Sequence, residues 1–151
     1  ENVILVGNSG VGKTHIATAL AYEACRKGFK VKFYTAAGLI NELLAAQQEY
    51  KLNRLEKQFS AYHLVVIDEL GYVPFSKTGA ELLFQFCSSR HERGSVIITT
   101  NLEFPKWTEV FLDEQMTAAL LDRLTHKAHI LNINGESYRF KQALAKQQSS
   151  D

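Results

Sequence analysis

Short apolar runs alternate along this chain with longer stretches in which apolar residues recur at helical spacing. Residues 2–6, 30–34, 64–67, 95–99 and 128–133 are short and mostly rich in Val, Ile and Leu, and predict five strands. Ile16, Ala17, Ala19, Leu20 and Ala24 predict a first helix over 13–27, with Gly28 as its stop. Thr35 is placed to cap a second helix carrying Ala36, Leu39, Ile40, Leu43 and Leu44. The polar stretch 47–60 reads as a further helical piece. Ser76 caps a helix that carries Leu82, Leu83, Phe86 and Cys87 and that Gly94 ends. Pro105 opens a short helix, and another covers 116–125. Strand and helix in alternation are the signature of an α/β domain with a parallel sheet. Asn134 and Gly135 predict a tight hairpin turn after the last strand.

Composition narrows the picture only slightly. The chain has 151 residues, of which 46% are apolar and 22% charged, enough for one domain with a real core. A formal net charge of +1 neither demands nor excludes nucleic acid, because a basic patch can sit on a neutral protein. No apolar run is long enough to span a bilayer, so no membrane partner is expected. Cys25 and Cys87 fall within helical patterns and read as thiols of a reducing cytosol, which points to a cytoplasmic protein. The only methionine is Met116, so Glu1 reads as an internal position and an amino-terminal region is expected upstream.

The chemistry sits where strands end. Residues 7–14 read GNSGVGKT and fit the phosphate-binding pattern G-x-x-x-x-G-K-[ST], between a strand and a helix as the pattern requires. Gly7, Gly10 and Gly12 allow the backbone to bring N–H groups close to an anion, and Asn8, Ser9 and Val11 complete the loop. Lys13 would reach the β- and γ-phosphates, and the Thr14 hydroxyl would hold Mg²⁺. His15 follows the loop, either at the ligand or packed within the helix.

LVVIDE over 64–69 ends a buried strand in two carboxylates. Asp68 would join Thr14 at Mg²⁺, and Glu69 is placed to orient and deprotonate an attacking water. VIITTN over 96–101 ends in Asn101, which either bonds the γ-phosphate and that water or simply starts a turn. Arg123, in LLDRLTHKA, either reaches a neighbour's γ-phosphate or pairs with Asp122 or a more distant acid.

These motifs together resemble the AAA+ ATPases of the IstB/DnaC group, over residues 2 to about 145. GVGKTHIA (10–17) and IDELGYVPFSKTGAELLF (67–84) are similar to the IstB branch. The resemblance implies a P-loop NTPase of AAA+ type, with a parallel five-stranded sheet between helices and a reduced or absent helical lid. Residues 1–145 would be the ATPase core and 146–151 a polar tail. Residues 7–14 would be Walker A, Asp68 and Glu69 Walker B, Asn101 sensor 1, and Arg123 an arginine finger. Arg139, in ESYRF, is the candidate for sensor 2. The Asn101 strand would lie between the two Walker strands.

The implied activity is hydrolysis of ATP with Mg²⁺, by a homo-oligomer with ATP at subunit interfaces. The implied partners are duplex DNA and a transposase. Two alternatives share much of the core: a DnaC-type loader serving a replicative helicase, and a small-molecule kinase. Lys51, Arg54 and Lys57, with Arg26, Lys27, Lys30 and Lys32, are candidates for phosphate-backbone contact or for a solvated helix face. Tyr72 and Phe75 could meet a neighbouring subunit or DNA, or pack around Pro74.

Overall fold

The computed structural model describes residues 1–133. Arg139, the turn expected at Asn134 and Gly135, the polar tail and any lid beyond the last strand lie outside the described residues. Five strands are present: β1 (Asn2–Gly7), β2 (Val31–Thr35), β3 (Leu64–Leu70), β4 (Ser95–Thr100) and β5 (Ala128–Ile133). Six helices connect them: α1 (Lys13–Arg26), α2 (Ala36–Gln48), α3 (Leu52–Ser60), α4 (Lys77–Arg90), α5 (Trp107–Phe111) and α6 (Glu114–Thr125). A single 3₁₀ turn over Phe104–Lys106 leads into α5, with Pro105 in its first turn, where its missing N–H does no harm.

The strands form one parallel sheet in the order β2-β3-β4-β1-β5. Because the central strands are covered on both faces, they read as unbroken apolar runs rather than as alternating ones. One face of the sheet carries Ile4, Val6, Val65, Ile67, Val96 and Ile98, packed with α2, α4, α6, Trp107 and Phe111 into the main core. The opposite face is thinner. There Leu5, Val66 and Ile97 meet Ala17 and Ala21 of α1. Small residues on α1 let its backbone approach the sheet closely.

Local chemistry sets most boundaries. Thr35 Oγ1 accepts from Gly38 N (3.0 Å), and Ser76 Oγ accepts from Gly79 N (3.0 Å), capping α2 and α4. Gly28 follows α1 at φ +91°, the left-handed stop that its sequence position suggested.

Four boundaries differ from expectation. The helical stretch over 47–60 is interrupted at Tyr50, which turns left-handed (φ +57°) and separates α2 from α3. The third strand runs on past Ile67 to Leu70, with a register irregularity between Ile67 and Leu70. Helix α6 begins at Glu114, two residues before Met116, because Asp113 Oδ1 accepts from Met116 N (2.7 Å). Helix α4 ends at Arg90, not at Gly94. The Arg90 guanidinium folds beneath the turn and donates to the carbonyls of Phe59, Tyr62 and Ser95 (3.0, 3.0 and 3.2 Å). Gly94 makes room for it: a Cβ there would lie 2.3 Å from Arg90 Nη2.

This topology gathers the ends of β1, β3 and β4 on one edge. β1 lies where the chain's path through the sheet reverses, between β4 and β5. In open parallel sheets the crevice outside the strand ends at such a point is the usual ligand site.

Candidate functional site

The loop after β1 wraps the start of α1. Gly10 (φ +80°) and Gly12 (φ +96°) both adopt left-handed backbone. Gly7 is needed for another reason: a Cβ would meet the Ile133 carbonyl oxygen of the paired strand at 2.5 Å. Gly12 stands at the N-cap of α1 and offers no side chain to the first turn, whereas α2, α4 and α6 each have a side-chain cap. The first N–H groups of α1 are thus left for an anion.

Lys13 is 5% exposed. Its Nζ donates to the carbonyls of Gly7 (2.6 Å) and Asn8 (2.7 Å), holding the cation inside the loop. Thr14 Oγ1 donates to the Asp68 carboxylate, 2.9 and 3.1 Å from its two oxygens. Asp68 is 4% exposed and also accepts from Thr99 Oγ1. That same Thr99 oxygen accepts from Glu69 N (2.8 Å). A continuous hydrogen-bonded line therefore runs from Thr14 through Asp68 and Thr99 to the Glu69 backbone.

Glu69 is exposed and left-handed (φ +63°), an uncommon state for a residue with a Cβ. Its side chain lines an open cleft of about 840 Å³ with residues 9–15 and Tyr72. His15 is exposed on the same cleft, so it does not pack within the helix. Asn101, at the end of β4, is exposed, and its Oδ1 lies beside Gly71, 3.4 Å from where a Cβ would stand. The structure thus brings residues 9–15, Asp68, Glu69 and Asn101 to one edge.

Arg123 is elsewhere. It lines a separate cleft of about 380 Å³ with Asn2, Arg93, Ser95 and Lys127, at the starting edge of β1 and β4. Its guanidinium lies 5.2 Å from the centre of the Phe84 ring and donates to Ala119 O (3.3 Å). Among the described residues no carboxylate forms an ion pair with it, Asp122 included.

Two contributors were not foreseen. Thr99 was hidden within a β-branched strand, where threonine needs no further reason. Tyr72, partly exposed, has a partner that its sequence position did not suggest: Ser9 Oγ of the phosphate loop lies 3.1 Å from its hydroxyl. Phe75 packs edge-on against Phe111, with centroids 5.9 Å apart. The basic residues Lys51, at the N-cap of α3, and Arg54 and Lys57 within it are exposed, while the helix buries Leu55 and Phe59. Lys51 pairs with Glu49 (3.3 Å) and Arg26 with Glu23 (2.8 Å).

A parallel sheet with β4 between the strand of the phosphate loop and the strand of the acidic pair defines a P-loop NTPase of AAA+ type. The fold is similar to that of the DnaC helicase loader, with a TM-score of 0.67 over 89% of this chain and 78% of that one, at 24% identity. The family can be given more closely. Residues 1–146 match the family described as IstB-like ATP binding protein, and the chain belongs to it.

Two curated relatives agree. The chain is 44% identical over 142 residues to an ATP-binding protein of insertion sequence IS21 from Pseudomonas aeruginosa, covering 94% of this chain and 54% of the relative. It is 40% identical over 147 residues to that of IS232 from Bacillus thuringiensis subsp. berliner, covering 97% and 59%. The chain thus spans little more than half the length of these relatives.

Proposed function

We propose that this chain is the ATP-binding and ATP-hydrolysing core of an IstB-like helper that acts with a transposase on duplex DNA. The observation that carries the reading is the contact between Thr14 of the phosphate loop and Asp68, with Glu69 beside it on the open cleft.

Each residue has a task. The uncapped N–H groups opening α1 and the Lys13 ammonium bind the phosphates, Lys13 exchanging its two loop carbonyls for phosphate oxygens. Thr14 and Asp68 present adjacent hard oxygens, which suits Mg²⁺. That ion takes one or two protein ligands and completes its shell with water and phosphate. Among the described residues no cluster of three acidic, His or Cys side chains exists, and none is needed for such an ion. Bound there, Mg²⁺ would neutralise phosphate charge.

Glu69 accepts a proton from water as the water oxygen bonds to the γ-phosphorus. The bond to the bridging oxygen breaks, and ADP leaves with that electron pair. Thr99 ties the Asp68 carboxylate to the Glu69 backbone, so the turn carrying the base is linked to the metal ligand. Asn101 orients the water. Arg123 serves the nucleotide of a neighbouring subunit. Lys51, Arg54 and Lys57 are candidates for DNA phosphates.

The test separates binding from chemistry. Lys13→Ala should lose tight ATP binding, measured by calorimetry. Glu69→Gln should bind ATP with Mg²⁺ yet turn over at least about 100-fold more slowly in a single-turnover assay, the low end for loss of a general base. Hydrolysis at the wild-type rate by Glu69→Gln would sink the assignment.

A further inference from the structure

The Ser9–Tyr72 contact has no part in the reading above. Tyr72 closes the turn that follows the acidic pair: its N–H points to Glu69 O (3.4 Å), and Gly71 between them is left-handed (φ +93°). In that turn Gly71 lies close against the Leu102 side chain, leaving no room for a Cβ. A Cβ at Gly71 would stand 2.5 Å from Leu102 Cδ1. Thr100 Oγ1 pins the same segment through Leu70 O (2.7 Å). Tyr72 is therefore a partly exposed ring (39%) on a fixed turn, aimed across the cleft at the phosphate loop.

Each of the two hydroxyls carries one proton and can also accept, so with Ser9 donating across the 3.1 Å contact Tyr72 has its own proton to give to a further acceptor. Both residues line the same cleft as Glu69, and Tyr72 shares one turn with it. In the proposed reaction Glu69 activates the water that attacks the terminal phosphate, so that turn faces the γ-phosphate.

We infer that Tyr72 is a triphosphate-sensing residue: its hydroxyl donates to the γ-phosphate and ties that group to the turn carrying Glu69. The inference rests on the proposed nucleotide site. It predicts that Tyr72 favours ATP over ADP, because the diphosphate offers no oxygen at that position. It also predicts that the phosphate loop and the acidic turn are held together through Ser9 before nucleotide arrives.

The experiment is calorimetry on the 151-residue chain with Mg²⁺, using ADP and a non-hydrolysable ATP analogue. Tyr72→Phe keeps the ring and removes the hydroxyl. It should weaken the analogue about tenfold, the size expected for one hydrogen bond to a charged group, and leave ADP within about twofold. Ser9→Ala should keep the wild-type ratio of the two affinities, since Tyr72 still carries its proton. Equal loss for both nucleotides in Tyr72→Phe, or no loss for either, would overturn the inference while leaving the nucleotide site standing. So would a Ser9→Ala variant that reproduces Tyr72→Phe, because the effect would then pass through the loop. Absence of binding by the wild-type chain would overturn the site and the inference together.

Discussion

Gly7 and Gly12 belong to one motif, yet the structure gives them opposite physical reasons, and substitution can tell these apart. At Gly7 the space is missing. An alanine Cβ would sit 2.5 Å from Ile133 O and 3.2 Å from Val11 Cγ2. The first contact is backbone of the strand in register with Gly7, so no side chain can swing aside. Overpacking of this kind costs about 1–3 kcal/mol. At Gly12 space is ample, with nothing within 4 Å of an added Cβ, but φ is +96°. Left-handed backbone costs an ordinary L-residue about 1–2 kcal/mol, and asparagine tolerates it best. Alanine should therefore destabilise at both sites. Asparagine should recover part of the loss at Gly12 and deepen it at Gly7, where its larger side chain meets the same carbonyl. Thermal melting by circular dichroism without nucleotide measures this. A loss of 2 kcal/mol lowers the midpoint by roughly 4–8 °C in a chain of this size. The reasoning fails if asparagine improves on alanine at Gly7, or if alanine at Gly12 leaves the melting point unchanged.

Three further outcomes are expected. A thiol reagent should label Cys25 in the native chain and spare Cys87 until the chain unfolds, because burial pushes the Cys87 thiol up to about 12 and keeps it protonated; rapid native labelling of both, read by mass spectrometry, would contradict this. DNA binding by the protein should weaken steeply as salt rises, and replacing Lys51, Arg54 and Lys57 together should flatten that slope by up to about three in log–log terms. Arg123→Ala and Lys13→Ala, each inactive alone, should regain hydrolysis when mixed; verified co-assembly without recovered turnover would remove Arg123 from a role across subunits.

The elements whose cause is local were legible in the sequence. A strand buried on both faces must be apolar throughout, and residues 2–6, 64–67 and 95–99 say so. Thr35 and Ser76 announce helix starts because a hydroxyl at that position has one obvious task. The phosphate loop was legible for the same reason: its glycines, lysine and threonine serve a single geometry. What was not legible depends on partners distant in sequence. Gly94 reads as a helix stop until Arg90 is seen lying under it. Tyr50 carries no sign that it will turn left-handed, since any glycine there would have been the stronger signal. Thr99 becomes special only when β4 is placed beside β3, and Tyr72 only when the turn after Leu70 is seen to face Ser9. Arg123 is the hardest case, because both readings of it fit one helical pattern.

The sheet limits what Arg123 can do. Asn2 anchors its neighbourhood: Asn2 Nδ2 donates to Leu124 O (3.1 Å), and Val96 N donates to Asn2 Oδ1 (2.9 Å). The end of α6 is thereby tied to the first residues of β1 and β4. The phosphate loop leaves from the other end of β1, at Gly7. Five residue steps at about 3.3 Å each separate these ends by about 17 Å, further than an arginine side chain extends. The sheet between them is the rigid core of the domain, so no rotamer change closes the gap. Arg123 therefore cannot neutralise charge on a phosphate held by its own loop. Within the chain it meets the Phe84 ring and the Ala119 carbonyl, so a phosphate partner would have to come from another molecule. Arg93, Arg123 and Lys127 share one open cleft with the carboxylates of Glu1 and Glu92, and no acid is paired to Arg123 among the described residues. If a nucleotide phosphate meets Arg123 there, it belongs to a second copy of the chain, and hydrolysis becomes a property of the assembly.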